Sequence, residues 1–516
     1  MTGPSLHGGR RTGTLDRVST VTSVTVDTTG GAVRGVRAGG VVAFLGVPYA
    51  AAPVGERRFR APEPAPRWSG VRDAVAHGPT APMPGYPRPF DALLPNPVIP
   101  GDEYLNLSVW TPDPGVEGLP VLVWIHGGAF VNGSSAISLT DGSAFARDGV
   151  VTVALNYRLG VEGFALLPDA PPNLGLLDQV AALEWVRDNV AAFGGDPDEV
   201  TVAGESAGAM SIGALLAMPR AAGLFRRAVL QSGAAHHSLT TATAGRVADY
   251  LAAELGVPAT AAALRGVPIE RVIGAQKVLT RQLHVAPDPA RWGEIVANIM
   301  MFEPVVDGEV LPGPPWQRIA AGPAAGVDVL VGANRHEYRF LLVPTGMADG
   351  VDAHAVAAVA TAYGLPDGAL DRYRQHMPDA APGLLLAEVM SDWFYRIPAL
   401  RLAESTPARS FVYEFAWESP AYGGRLGACH GLELPFVFDS VHDPGARAFV
   451  GADPPGELAA AMRRAWTAFA TTGDPGWPAY TTSRRAVARF GPDVGPEPEV
   501  IDDPRGDLRE LWDGIR

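Results

Sequence analysis

Gly204-Glu205-Ser206-Ala207-Gly208 sets one serine between two glycines, with the apolar run "VTVA" before it and "AGAMSIGALLAM" after it. A strand, a sharp turn and a helix in that order would hold the serine hydroxyl clear of the backbone as a nucleophile. A turn so tight leaves no room for a Cβ two residues to either side. The competing reading is a serine that merely opens a helix, and in a chain with 60 glycines the five-residue pattern also arises by chance. Upstream, the apolar run "VLVWI" ends in His126-Gly127-Gly128-Ala129-Phe130, a loop whose successive N–H groups could face an oxyanion or form a plain glycine turn. The N–H of Ala207, just after the serine, would complete such a hole.

A serine nucleophile needs a base, and the base needs an orienting acid, expected later in the chain in the order acid, then histidine. The histidines in that part are His336, His354, His376, His430 and His442. His430, in "GACHGLELPF", follows the last apolar strand segment and sits among small residues, where an imidazole could reach over the strand ends. A lone histidine is otherwise a structural or surface residue.

The elements that must position these groups are readable in outline. Strand candidates at 121–126, 150–157, 200–204, 228–233, 328–333 and 411–417 alternate with helical stretches. This predicts an α/β fold with a mostly parallel central sheet covered by helices on both faces. Leu176, Val180, Leu183, Val186 and Val190 share one face of a helix over about 176–193, which Gly194 and Gly195 end. Between residues 22 and 50, β-branched segments broken by glycine pairs predict a small antiparallel portion. Residues 1–20 read as a flexible tail and 21–516 as one domain. Proline-rich stretches at about 79–100 and 281–290 read as surface excursions that either wall a pocket or are merely tolerated.

Composition excludes several functions. A formal charge of −14 disfavours a groove that tracks phosphates, so nucleic acid is not an expected partner. Lys277 is the only lysine, which removes any phosphate-binding loop of the Walker type. The single cysteine, Cys429, allows no intrachain disulfide, and no apolar run has the length of a membrane span or a secretory signal. The expectation is a soluble cytoplasmic protein, a monomer or small homo-oligomer.

Taken in order, "FLGVPYAAAPVGERRF", "DEYLNLSVWTP", "HGGAF", "NYRLGVEGF", "NLGLLDQVAALEWVRDNVAAFGGDP", "GESAGA", "LFRRAVLQSG", "FEPVVDGEVLP", "GANRHE", "GACHGLELPFVF" and "WTAFATTGDP" form a specific set. The chain resembles a type-B carboxylesterase of the α/β-hydrolase superfamily, the group that holds bacterial para-nitrobenzyl esterases, animal carboxylesterases and cholinesterases. The resemblance runs from about residue 22 to the end. It implies Ser206 as nucleophile, Glu337 of "GANRHE" as acid and His430 as base. It also implies an oxyanion hole from the N–H groups of Gly128, Ala129 and Ala207, with Gly127 shaping the loop. No metal and no cofactor is implied, and the partner is a small-molecule ester. Only the motif position prefers Glu337 to Asp307, Glu309 or Asp328.

Three positions depart from the family pattern: His336 stands where Asp often precedes the acid, Tyr104 where a cysteine is frequent, and Ala129 where a third glycine is usual. The missing disulfides fit a cytoplasmic bacterial member. Glu205 would either orient a water and favour charged His430, or simply complement a helix N-terminus. Ser232 resembles the serine that hydrogen-bonds the acid, with turn capping as the alternative, and Cys429 reads as a small buried apolar residue. Candidates for an apolar substrate gorge are Phe130, Met83, Tyr86, Phe90, Trp393 and Phe394, each also readable as core. A non-catalytic binding member is disfavoured because all three catalytic positions are filled. The same chemistry on amide, carbamate or polyester bonds stays open, since pocket walls sit in variable loops.

Overall fold

The computed structural model describes residues 22–492, 495 and 497–516; the expected tail at 1–20 lies outside the described residues. Twelve strands in chain order build the central sheet. They are β1 (Thr22–Thr28), β2 (Gly31–Ala38), β3 (Val41–Pro48), β4 (Asn106–Thr111), β5 (Leu119–Ile125), β6 (Val151–Leu155), β7 (Gly195–Glu205), β8 (Arg227–Gln231), β9 (Asp328–Asn334), β10 (Ser410–Phe415), β11 (Ala486–Phe490) and β12 (Glu499–Asp502). The spatial order is β1-β2-β3-β4-β6-β5-β7-β8-β9-β10-β11-β12, with a short strand, Val71–Asp73, beside β2.

From β6 to β11 every neighbour is parallel, while β1 to β4, the β4–β6 pair and the β11–β12 pair are antiparallel. The α/β-hydrolase fold expected from the sequence, with its antiparallel N-terminal portion, is therefore present. The cause is visible in the strands. The runs 121–125, 151–155, 200–205 and 227–231 are buried at every position, so both faces of the parallel part lie under helices.

Two helices flank the parallel sheet near the elbow strand. Helix α1 spans Leu174–Asn189 and passes through a single 3-10 turn to Gly194, whose φ of 90° makes the left-handed stop. Its burial extends beyond the apolar stripe. Asp178 and Gln179 are also fully covered, because Asp178 receives a bidentate pair from buried Arg158, Nε at 2.8 Å and Nη2 at 2.6 Å. Helix α2, Ala207–Ala217, starts directly at the end of β7 and is buried along its whole length.

Candidate active site

The junction between β7 and α2 is a steric construction. A Cβ on Gly208 would lie 2.0 Å from the carbonyl oxygen of Ile125 in the neighbouring strand, and one on Gly204 would lie 2.7 Å from the carbonyl carbon of Gly208. Only glycine fits at either point. Ser206, between them, takes φ 53° and ψ −123°, a conformation that costs on the order of 1–3 kcal/mol for a residue with a Cβ. The surroundings enforce it: the Ser206 N–H donates to the Gln231 carbonyl at 2.9 Å, and its carbonyl accepts from Met210 N–H at 2.9 Å. The hydroxyl caps nothing on the helix; Ser206 Oγ instead lies 2.9 Å from His430 Nε2.

His430 sits in the loop after β10, and its Nδ1 is 2.7 Å from Glu337 Oε2 in the loop after β9. The two loops are stitched together by backbone bonds, His430 N–H to the Glu337 carbonyl (3.2 Å) and His336 N–H to the Ala428 carbonyl (2.8 Å). The other oxygen of Glu337 accepts from Asn334 N–H at 2.7 Å. Both carboxylate oxygens are thus engaged, and Glu337 is fully buried beneath the imidazole.

Beside this chain lies a second carboxyl group. Glu205 Oε1 is 3.1 Å from His430 Nε2, an ion-pair distance. Burial pushes the Glu205 carboxyl up to about 8, against the pull of His430. For His430 burial acts downward, but Glu205, Glu337 and the hydrogen bond to Glu337 outweigh it and raise the imidazole to about 9. Glu433 forms a third buried carboxyl, accepting from Gln231 Nε2 (3.1 Å) and Asn334 Nδ2 (2.5 Å). Burial, and then Glu337, push it upward.

The loop after β5 faces the serine. Gly128 (φ 112°), Ala129 (φ 53°) and Phe130 (φ 60°) follow one another in left-handed conformations, and the Gly128 carbonyl accepts from both Val131 and Asn132 N–H, closing a tight turn. A Cβ on Gly127 would lie 2.8 Å from the carbonyl and carboxyl oxygens of Glu205, so only glycine lets this loop approach the elbow. No backbone acceptor among the described residues takes the N–H of Gly128, Ala129 or Ala207.

Above these groups opens a cavity of about 340 Å³ that reaches Ser206, His430 and Glu205. Tyr86, Phe90, Leu94 and Pro95 from the proline-rich excursion wall one side. Ile299, Met300, Met301 and Phe302, together with Phe340, Phe394 and Tyr395, also line it. Of the gorge candidates, Tyr86, Phe90 and Phe394 line it, and Phe130, Met83 and Trp393 do not. The left-handed backbone at Phe130 puts its ring edge-on to Phe164 at 4.9 Å in the core. Met83 packs against the core cluster, and Trp393 stacks on Tyr363 at 4.6 Å with the Arg516 guanidinium on its ring.

Ser232 also departs from expectation. Its buried hydroxyl has no hydrogen-bond partner among the described residues, and Glu337 is held by Asn334 N–H and His430. His336 turns away from the acid: its Nδ1 accepts from Ala428 N–H at 3.2 Å, and burial holds it well below the usual histidine range. Cys429 is buried, and its carbonyl accepts from Asn334 Nδ2. Sequence reasoning passed over Asn334, Glu433, Gln231 and Tyr395, whose ring lies 4.8 Å from that of His430. Glu433 stood inside a quoted motif, but a buried carboxyl has no local mark that separates it from an exposed one.

Among the described residues no helix is long and apolar enough to cross a membrane, and no group of His, Cys, Asp and Glu is arranged to hold a metal ion.

Comparison with known proteins agrees with this architecture. Residues 22–495 match the model of the carboxylesterase family. The chain is 38% identical over 512 residues to the para-nitrobenzyl esterase of Bacillus subtilis (strain 168), covering 94% of this chain and 97% of that protein. It is 37% identical over 495 residues to the phenmedipham hydrolase of Pseudarthrobacter oxydans, covering 92% and 97%. A crystal structure of a Geobacillus stearothermophilus carboxylesterase superposes with a TM-score of 0.82 at 37% identity, covering 95% of this chain and 99% of that one. The chain belongs to the carboxylesterase family, and its chemistry is the hydrolysis of carboxylic esters.

Proposed function

We propose that the chain hydrolyses uncharged, apolar carboxylic esters of small molecules through an acyl-enzyme on Ser206. The observation that carries this is the unbroken line Ser206 Oγ, His430, Glu337, at 2.9 and 2.7 Å, on the floor of an apolar cavity. Ser206 Oγ attacks the ester carbonyl as His430 Nε2 takes its proton. Glu337 fixes the tautomer through Nδ1–H and stabilises the imidazolium. The N–H groups of Gly128, Ala129 and Ala207 receive the developing oxyanion; one such donor is worth on the order of 10²–10³ in turnover. His430 then gives its proton to the leaving alcohol, the tetrahedral centre collapses to the acyl-enzyme, and water repeats the sequence to release the acid. Glu205 favours the imidazolium on which both collapses depend.

The cavity wall supports the substrate class. It is mostly aromatic, Met and aliphatic, with Asn132, Thr140, Thr280, His284 and Asn298 as polar members, and among the described residues it carries no Lys, Arg or Asp, with Glu205 as its only acid. A substrate with a free carboxylate would lose its water with no Lys or Arg on the wall to receive it. With a single buried cysteine and no intrachain disulfide possible, we place the protein in the reducing cytoplasm.

The test compares p-nitrophenyl butyrate with mono-p-nitrophenyl succinate, matched for chain length and differing in charge. A kcat/KM at least about tenfold higher for the butyrate is expected from leaving the carboxylate unpaired. Equal values would refute the proposed selectivity. A fluorophosphonate that labels the protein equally well after Ser206→Ala would refute the nucleophile.

A further inference from the structure

The loop that carries Gly128 and Ala129 is held at four points. Tyr157 Oη donates to the His126 carbonyl (2.9 Å), Gly160 N–H donates to the Phe130 carbonyl (2.7 Å), and Ser135 N–H donates to Asn156 Oδ1 (2.8 Å). These three come from one buried stretch, Asn156–Gly160, just beyond β6. The fourth comes from elsewhere: Gly133 N–H donates to Asn96 Oδ1 at 3.2 Å. Asn96 ends the segment whose Tyr86, Phe90, Leu94 and Pro95 form one side of the substrate cavity.

Gly133 is the sensitive point of the loop. At φ 98°, a Cβ there would stand 2.3 Å from the carbonyl oxygen of Gly127, so the two backbones lie in direct contact. A displacement of Gly133 is therefore passed to Gly127 and to the N–H of Gly128 beyond it. Close-packed backbone transmits such shifts instead of absorbing them.

We propose that Asn96 is a positioning residue. Its hydrogen bond to Gly133 ties the oxyanion loop to the substrate wall, so that filling the wall helps set the loop for the transition state. This rests on the oxyanion role given above to Gly128 and Ala129. Binding energy taken from a remote part of the substrate then appears in kcat and not only in KM. An ester that fills the Tyr86–Pro95 wall should depend on Asn96 more than a small one does.

The experiment uses the full chain with Asn96→Leu, which removes the acceptor at similar volume, and Asn96→Asp, which keeps it. Steady-state kinetics are read on p-nitrophenyl acetate and hexanoate, together with inhibition by a trifluoromethyl ketone, which forms a tetrahedral adduct, and thermal unfolding. Asn96→Leu is expected to lower kcat for the hexanoate about five- to tenfold, the scale of one hydrogen bond, with KM within about twofold. The ketone should weaken by the same factor, the acetate should fall less, and Asn96→Asp should keep at least about half of the wild-type kcat, its carboxylate accepting the same N–H. The proposal is overturned if kcat is unchanged, if acetate and hexanoate fall equally, or if Asn96→Asp falls as far as Asn96→Leu. Should the leucine variant not fold, Asn96→Ala is judged by the same criteria. If the wild type neither turns over these esters nor binds the ketone, the mechanism itself fails. If it does both and the variants match it, only the role of Asn96 fails.

Discussion

Replacing Glu205 with glutamine should move the acid limb of the pH–rate profile downward. In the proposed mechanism His430 accepts a proton from Ser206 only when neutral, so activity should be lost as pH falls through its pKa, which the neighbouring carboxylates raise from 6.5 to about 9. Of those carboxylates Glu205 exerts the largest upward pull, from 3.1 Å, with side chains only 8% and 14% exposed. A full charge at that distance and an effective dielectric of about 20 would act with roughly 5 kcal/mol. The group does not carry a full charge near neutrality, because burial has pushed its own pKa to about 8. An opposite charge at this range shifts a partner by about 1–3 units, and the partial charge places Glu205→Gln in the lower half, about 1–2 units.

The assay is kcat/KM for p-nitrophenyl butyrate, which reports the free enzyme, taken from about pH 5.5 to 9.5 with spontaneous hydrolysis subtracted. Relative to its own plateau, the variant should keep about two- to threefold more activity near pH 8, where Glu205 still carries part of its charge, than the wild type keeps, and the gap should close toward pH 6 as Glu205 is protonated. Its plateau should be lower, because the imidazolium of the transition state loses the same support. A limb that stays within about 0.3 units of wild type, or that moves upward, would refute the electrostatic account.

Ser206→Ala should abolish ester hydrolysis and fluorophosphonate labelling while the thermal unfolding curve is retained, because the hydroxyl makes no structural bond. Gly208→Ala should destabilise by about 3 kcal/mol or more, given a Cβ only 2.0 Å from the Ile125 carbonyl; denaturant titration measures it, and a loss under about 0.5 kcal/mol would contradict the steric reading. Asp178→Leu should cost about 3–5 kcal/mol by stranding the fully buried Arg158 guanidinium, again read by denaturant, whereas a surface pair such as Arg34–Asp73 should cost under about 1 kcal/mol when broken.

The elbow was legible in the sequence because its constraint is steric: a Cβ on Gly208 would lie 2.0 Å from the Ile125 carbonyl oxygen, and the chain records the close approach as glycine at 204 and 208. Six strands and one helix were readable to within about five residues, since Gly194 must stop α1 and uninterrupted apolar runs must lie under helices, whereas β4, β11 and β12 were not picked out. What depends on contacts across the chain was not readable. Asn334 meets Glu433 across 99 residues, and the pairing leaves no periodicity. Stripe reasoning on α1 foresaw the apolar face but not the burial of Asp178, which becomes tolerable only when Arg158 arrives from another element. Aromatic identity likewise did not separate Phe394, which lines the cavity, from Phe130 and Trp393, which do not. The direction of each ring follows from local φ and from partners such as Phe164 and Tyr363.

Ser206, Glu337 and His430 follow the ends of β7, β9 and β10, whereas much of the cavity wall comes from the excursion before β4 and the stretch Ile299–Phe302, with Phe340, Phe394 and Tyr395 added from helical turns. Selection can therefore recolour the side chains of those segments while Ser206, Glu337 and His430 keep their places, so long as the Asn96 tie to Gly133 is kept. For the engineer the same separation marks where to randomise. Libraries confined to residues 86–95 and 299–302 should yield altered preferences at a far higher rate than libraries spread along the strands, where most changes would first cost the fold.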